Sequence, residues 1–109
     1  MNTFPSALAR ALAALLALGV AQSALATPTH ALRQLPEALQ GVWASTKPEM
    51  NANSRCAAAF DSQTDTARMV MRCSVHMRLG AEAERRALAY CQEERERKGV
   101  RSPCRIVQE

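Results

Sequence analysis

Four cysteines constrain this chain of 109 residues more than any other feature. They are Cys56, Cys73, Cys91 and Cys104, and their successive spacings of 17, 18 and 13 contain no CxxC pair. Structural zinc sites and thioredoxin-like redox sites use such pairs, so the spacing gives both little support. An even number of widely spaced cysteines in a short chain favours two disulfides, provided that the protein folds in an oxidising compartment.

The N-terminal segment predicts export to such a compartment. Residues 1–26 contain no acidic residue and one cation, Arg10, which is followed by an apolar run of 11 residues ending at Ala21. Small residues then lead to Ala26, where we expect signal peptidase to cut. The apolar run is too short to cross a bilayer, and no transmembrane span is predicted in the mature chain.

Cleavage would leave residues 27–109, with 13 basic and 10 acidic side chains because Arg10 is the single cation lost. A chain of this length buries only about 60 to 65% of its unfolded surface, so we expect disulfides to supplement a thin core. The chain is too short for a Rossmann or TIM-barrel enzyme and carries no catalytic motif, which favours a non-enzymatic role. The predicted organisation is a signal peptide at 1–26, a flexible tail at 27–34 and one small domain at 35–109.

The clearest strand pattern runs from Arg68 to Arg78. Its odd positions are all apolar, whereas its even positions, apart from Val70, are Arg, Ser or His. This period of two predicts a strand with one face in the core and one face in water. The polar stretch at 61–66 would connect it to a preceding strand as a hairpin.

A helix is predicted for residues 81–98. Acids come early, at Glu82 and Glu84, and cations come late, which complements the helix dipole, and Gly99 is placed to end the helix. The predicted fold class is therefore α+β: a small antiparallel sheet of about three or four short strands, packed on one helix in the C-terminal half and held by two disulfides.

The remaining elements follow from weaker local patterns. Residues 55–60 fit either a hairpin strand or a helix capped by Ser54, and the polar turn after them favours the strand. The other predicted elements are a helix of at most one turn at 35–41, a short strand at 42–46 and a last strand at 103–107.

These elements favour one of the three possible disulfide pairings. Cys91 falls in the second half of the predicted helix, and the turn after Gly99 brings Cys104 back towards it, so we pair Cys91 with Cys104. The chain-entropy model gives such a bond about 3 kcal/mol. Cys56 and Cys73 then pair across the hairpin. The alternative joins Cys56 to Cys91 and Cys73 to Cys104.

The triplet Gly41-Val42-Trp43 resembles the Gly-x-Trp that opens the first strand of lipocalin-type barrels. The resemblance covers three residues and implies a strand at this point. An eight-stranded barrel needs a longer chain, so we expect neither the barrel nor its ligand pocket. Trp43 is expected to be the largest core side chain, with a ligand-binding or partner-binding surface as the alternative.

The charge distribution suggests a binding function. Residues 69–109 hold nine cations against six acids, whereas residues 27–68 are balanced. The predicted basic sheet face comprises Arg72, His76, Arg78, Arg101 and Arg105. It would bind an anionic envelope polymer such as lipopolysaccharide, or an acidic protein. Nucleic acid is not expected of an exported chain with few aromatic side chains. The leading hypothesis is an exported, non-enzymatic binding or inhibitor-like module of the cell envelope, without a cofactor.

Two alternatives stay open. Met69 and Met71 could bind Cu(I) in a periplasmic metal-handling protein, because thioether sulfur is a soft ligand; the expected role of both methionines is instead to fill gaps in the core around a disulfide. His76 points to the other face of the predicted strand and could not join that site without a bulge. A small hydrolase would need a pocket that combines His76 with a carboxylate, and the second histidine, His30, lies in the predicted tail.

Overall fold

The computed structural model describes residues 28–109, so the predicted signal peptide lies outside the described residues. Three short 3-10 turns accompany the main elements, at Leu32–Gln34, Lys47–Glu49 and Thr66–Arg68. In chain order, the strands and helices are β1 (His30–Ala31), α1 (Glu37–Thr46), β2 (Arg55–Phe60), β3 (Met69–Ser74), α2 (Gly80–Lys98) and β4 (Arg105–Gln108).

The four strands form one sheet in the order β1-β4-β2-β3. The β2 strand is antiparallel to both β3 and β4, whereas β1 is parallel to β4. The predicted α+β class is confirmed, and the sheet is mixed rather than purely antiparallel. Residues 30–34, within the stretch where the sequence predicts a flexible tail, form β1 and a 3-10 turn instead.

Both predicted disulfides are confirmed. Cys56 and Cys73 are directly opposite each other on β2 and β3, with their Cα atoms 4.0 Å apart. The second bond joins Cys91 in α2 to Cys104, the residue before β4. Residues 28–109 contain no free cysteine. The two bonds therefore fix the hairpin and hold the final strand to the long helix.

The helix α1 replaces the predicted single turn and the predicted strand at 42–46, which were both wrong. Leu39 and Trp43 are four residues apart, so they share one helical face, and both are buried against the sheet. Gly41 is exposed inside the helix, where it costs about 1 kcal/mol relative to Ala. Burial of a large aromatic side chain outweighs that cost. The Gly-Val-Trp triplet is thus helical and does not open a strand.

The sheet is covered on both faces, which corrects the predicted water-facing side. The α1 face carries Met69 and Met71 with Cys56 and Ala58, whereas Val70, Ala57 and Ala59 pack on the other face against α2. The small side chains of β2 and of α2 allow the helix to approach closely. The β3 strand also ends at Ser74, four residues before the predicted end at Arg78.

The helix α2 begins after Leu79 and ends at Lys98; the next residue, Gly99, has a φ of 70°, the left-handed conformation that glycine adopts readily. This agrees with the predicted helix to within one residue. Among residues 28–109, no helix has the length and apolar character needed to cross a membrane.

Candidate binding surfaces

The structure does not bring the five predicted basic residues together. Arg72 is opposite Ala57 and therefore lies on the α2 face, where its Nη1 is 3.0 Å from a carboxylate oxygen of Glu94. Its guanidinium also lies 5.6 Å from the centre of the Tyr90 ring. Arg105 is next to Ile106, which faces α2, so Arg105 lies on the opposite face of the sheet.

The other three predicted residues are at the two ends of the domain. His76, with a φ of 58°, and Arg78 are exposed in the loop between β3 and α2. The side-chain amide of Asn53 donates to the Arg78 carbonyl oxygen at 2.8 Å, which places this loop beside the start of β2. The backbone N–H of Arg101 donates to Asp61, directly after the end of β2. A single basic sheet face is therefore not formed by these residues.

One of the five, Arg105, lines a large open cleft of about 1190 Å³, which we call the β4 cleft. The helix α2 packs mainly on β2 and β3, so the flank of β4 is left open. Residues from four parts of the chain line the β4 cleft. They include Thr29, Trp43, Lys47, Arg55, Glu84, Leu88, the whole of β4, and Glu109.

Most charged groups in the β4 cleft are already engaged. Lys47 forms an ion pair with Glu109, and its ammonium also lies 5.6 Å from the centre of the Trp43 ring. The guanidinium of Arg55 donates to the carbonyl oxygens of Ala52 and Ser54 at 3.0 and 2.8 Å. Within residues 28–109, Arg105 forms no ion pair. Arg105 is thus the cation of the cleft that remains available to a ligand.

His30 is close to this available cation. Its ring is 5.0 Å from the ring of Phe60, and its Nε2 atom is buried without a hydrogen-bond partner. Burial, and to a lesser extent the positive charge of Arg105, lower the pKa of His30 below its ordinary value of 6.5. The structure therefore favours a neutral imidazole on β1.

The predicted copper ligands, Met69 and Met71, do not share a site with His76, the residue predicted for a hydrolase. Met69 and Met71 are only 2% and 8% exposed, inside the cluster that includes Leu39 and Trp43. His76 is exposed and does not line the β4 cleft. Across residues 28–109, no group of three or more His, Cys, Asp or Glu side chains is arranged to hold a metal ion. These positions support core packing for the two methionines.

Comparison with known proteins gives no relative: no protein-family model, no curated protein and no solved structure matches this chain. The candidate site therefore depends on its geometry alone. Sequence reasoning named Arg105 but missed Lys47, Arg55 and Glu84, because the cleft joins segments far apart in the chain. The one sequence feature that pointed to this cleft was Trp43, because its alternative predicted role was in a ligand-binding or partner-binding surface.

Proposed function

We propose that this protein is an exported, non-enzymatic binding module that holds an acidic, partly apolar segment of another envelope protein in the β4 cleft. The observation that carries the proposal is the unpaired guanidinium of Arg105 in a concave site of this size. A guanidinium can bind a carboxylate through two parallel hydrogen bonds, which gives both affinity and orientation.

The lining favours a peptide over a uniformly anionic polymer. Apolar side chains such as Leu88 and Ile106 contribute to the cleft, and they suit the apolar residues of a peptide. The carboxylates of Glu84 and Glu109 also line it, so a continuous polyanion would meet like charges. An extended segment that alternates acidic and apolar residues fits both features.

Two further features support export and binding. Small domains held by two disulfides are typical of oxidising compartments outside the cytoplasm. The wall of the cleft is fixed covalently through Cys104, and a rigid wall lowers the entropic cost of binding.

The proposal can be tested by selecting random dodecapeptides displayed on phage against the purified exported protein. The expected result is enrichment of sequences that combine Asp or Glu with apolar residues. Binding of a selected peptide would be followed by the fluorescence of Trp43, the single tryptophan of the chain, which lines the cleft. Replacement of Arg105 by Gln should weaken binding about tenfold or more, the loss expected for a charge-assisted hydrogen bond.

The matched control is Arg33→Gln, which removes the same charge from an exposed side chain outside the cleft. It should bind the selected peptide like the wild type. Equal weakening by both variants would mean that net charge, rather than the β4 cleft, determines binding. If the protein bound lipopolysaccharide micelles and no peptide were enriched, the ligand would be an anionic polymer rather than an acidic peptide.

A further inference from the structure

The strand β1 pairs with one edge of β4 over a very short length. It pairs through two residues only, His30 opposite Val107 and Ala31 opposite Gln108. The hydroxyl of Thr29 adds one exposed hydrogen bond to the side-chain oxygen of Gln108, at 3.2 Å. Such a short pairing is stabilised by few backbone bonds, and its release would uncover the unpaired N–H and C=O groups of a strand edge.

The imidazole of His30 is the part of β1 that responds to protons. Its buried Nε2 has no acceptor to receive a hydrogen bond if the nitrogen is protonated. The Phe60 ring packs against it from β2, and the positive charge that faces it comes from Arg105 of β4. No carboxylate among residues 28–109 forms an ion pair with the imidazole. Because His30 is partly buried, a proton on its ring would therefore add a partly desolvated, unpaired charge next to a like charge.

We propose that β1 is a proton-released strand: protonation of His30 detaches β1 from β4 and makes the edge of β4 available to the segment bound in the cleft. The second part rests on the function proposed above, whereas the detachment of β1 does not. An extended segment could then add to β4 as a strand, which supplies backbone hydrogen bonds in addition to the contact with Arg105.

The direction of the pH effect follows from the lowered pKa of His30. The neutral imidazole stabilises the β1–β4 pairing above pH 6.5, the ordinary value, and this contribution is lost as the pH falls through the lower value in the folded protein. Aspartate and glutamate of a bound segment have ordinary pKa values of about 4, so they stay largely charged between about pH 7.5 and about pH 5.

The test is nuclear magnetic resonance of the exported protein between about pH 7.5 and about pH 5, chosen to span the ordinary histidine range. Inter-strand nuclear Overhauser effects between His30 and Val107 should weaken as the pH falls, whereas those between Cys56 and Cys73 on β2 and β3 should persist. The variant His30→Phe keeps an aromatic ring against Phe60 but cannot be protonated, so its β1 contacts should not depend on pH.

The other histidine provides the control, because His76 is exposed in the loop after β3, the strand at the opposite edge of the sheet from β1. The variant His76→Phe should keep the pH dependence of the wild type. A second variant, His30→Gln, is neutral and polar, and serves if the phenylalanine variant does not fold. The inference is overturned if the His30–Val107 contacts persist at low pH, or if the His30 variants lose them as the wild type does.

Peptide affinity separates this inference from the proposed function. The selected dodecapeptide should bind the wild type more tightly at about pH 5.5 than at about pH 7.5, and this gain should vanish in His30→Phe. Detachment of β1 without any peptide binding would refute the proposed function and leave the proton-released strand intact. Peptide binding without detachment of β1 would support the proposed function and refute the proton-released strand.

Discussion

Asp61, at the end of β2, accepts hydrogen bonds from both the backbone N–H and the hydroxyl of Ser102, at 2.9 and 2.7 Å. The backbone N–H of Arg101 donates a third bond at 2.7 Å. This last bond is the largest cause that holds the pKa of Asp61 at about 2, followed by the bonds from Ser102. One carboxylate thereby ties the loop after α2 to the hairpin, next to Cys104 and the start of β4.

The bonds to Asp61 predict a loss of stability in acid. Because its pKa in the folded protein lies below 3.8, the ionised carboxylate stabilises the fold above that pH, and the contribution is lost as the pH falls towards 2. The variant Asp61→Asn should therefore have a lower Tm than the wild type at neutral pH, and the two Tm values should converge as the pH approaches 2.

The Tm of both proteins would be measured between about pH 6 and about pH 2.5. Glu82 titrates in the same range, because Arg85 and Arg86 lower its pKa to about 2, so only the difference between wild type and variant reports on Asp61. The control is Asp65→Asn, an exposed carboxylate that accepts one backbone bond from Ala67. A constant Tm difference at every pH would contradict the assigned role of Asp61.

We predict that replacing glycine by alanine has opposite effects on the free energy of unfolding at two positions. Gly99 has a φ of 70°, so Gly99→Ala should destabilise the domain by about 1 to 2 kcal/mol. Gly41 lies in the exposed middle of α1, and an added Cβ would have no atom within 4 Å apart from its chain neighbours and the backbone of its own helix, so Gly41→Ala should stabilise the domain by up to about 1 kcal/mol. Urea unfolding measures both free energies. Effects of equal sign would contradict either the left-handed cap or the helix α1.

The disulfide between Cys91 and Cys104 should contribute about 3 kcal/mol to the free energy of unfolding, given a sequence separation of 13. Replacement of both cysteines by Ala would remove the bond without leaving one free thiol, and urea unfolding would measure the loss. The same replacement at Cys56 and Cys73, whose sequence separation is 17, is the matched comparison and should cost at least as much. If either variant unfolded at the same urea concentration as the wild type, the expected contribution of that disulfide would be contradicted.

Met69 and Met71 should behave as core residues. Leucine has a similar volume, so Met69→Leu and Met71→Leu should each cost less than about 1.5 kcal/mol. The measurement is Tm with and without Cu(I), using Met77→Leu as a control outside the core cluster. We expect Cu(I) to leave the Tm of every variant unchanged. A rise in the wild-type Tm that the two core variants abolish would restore the copper hypothesis.

The sequence by itself determined the parts of this protein that depend on neighbouring residues and on cysteine spacing. The helix α2 followed from its charge pattern and from Gly99, and the β2–β3 hairpin followed from strand patterns on either side of a polar turn. The disulfides followed from these elements, because a helix and a hairpin limit which cysteines can meet.

Only the tertiary structure decided what depends on distant contacts. Val42 and Trp43 have side chains typical of strands, yet α1 forms because Trp43 and Leu39 find a buried place on the sheet together. His30 joins the sheet because β4, from the other end of the chain, offers an unpaired edge. The β4 cleft and the availability of Arg105 likewise depend on where α2 is placed across the strands, and no local pattern encodes that position.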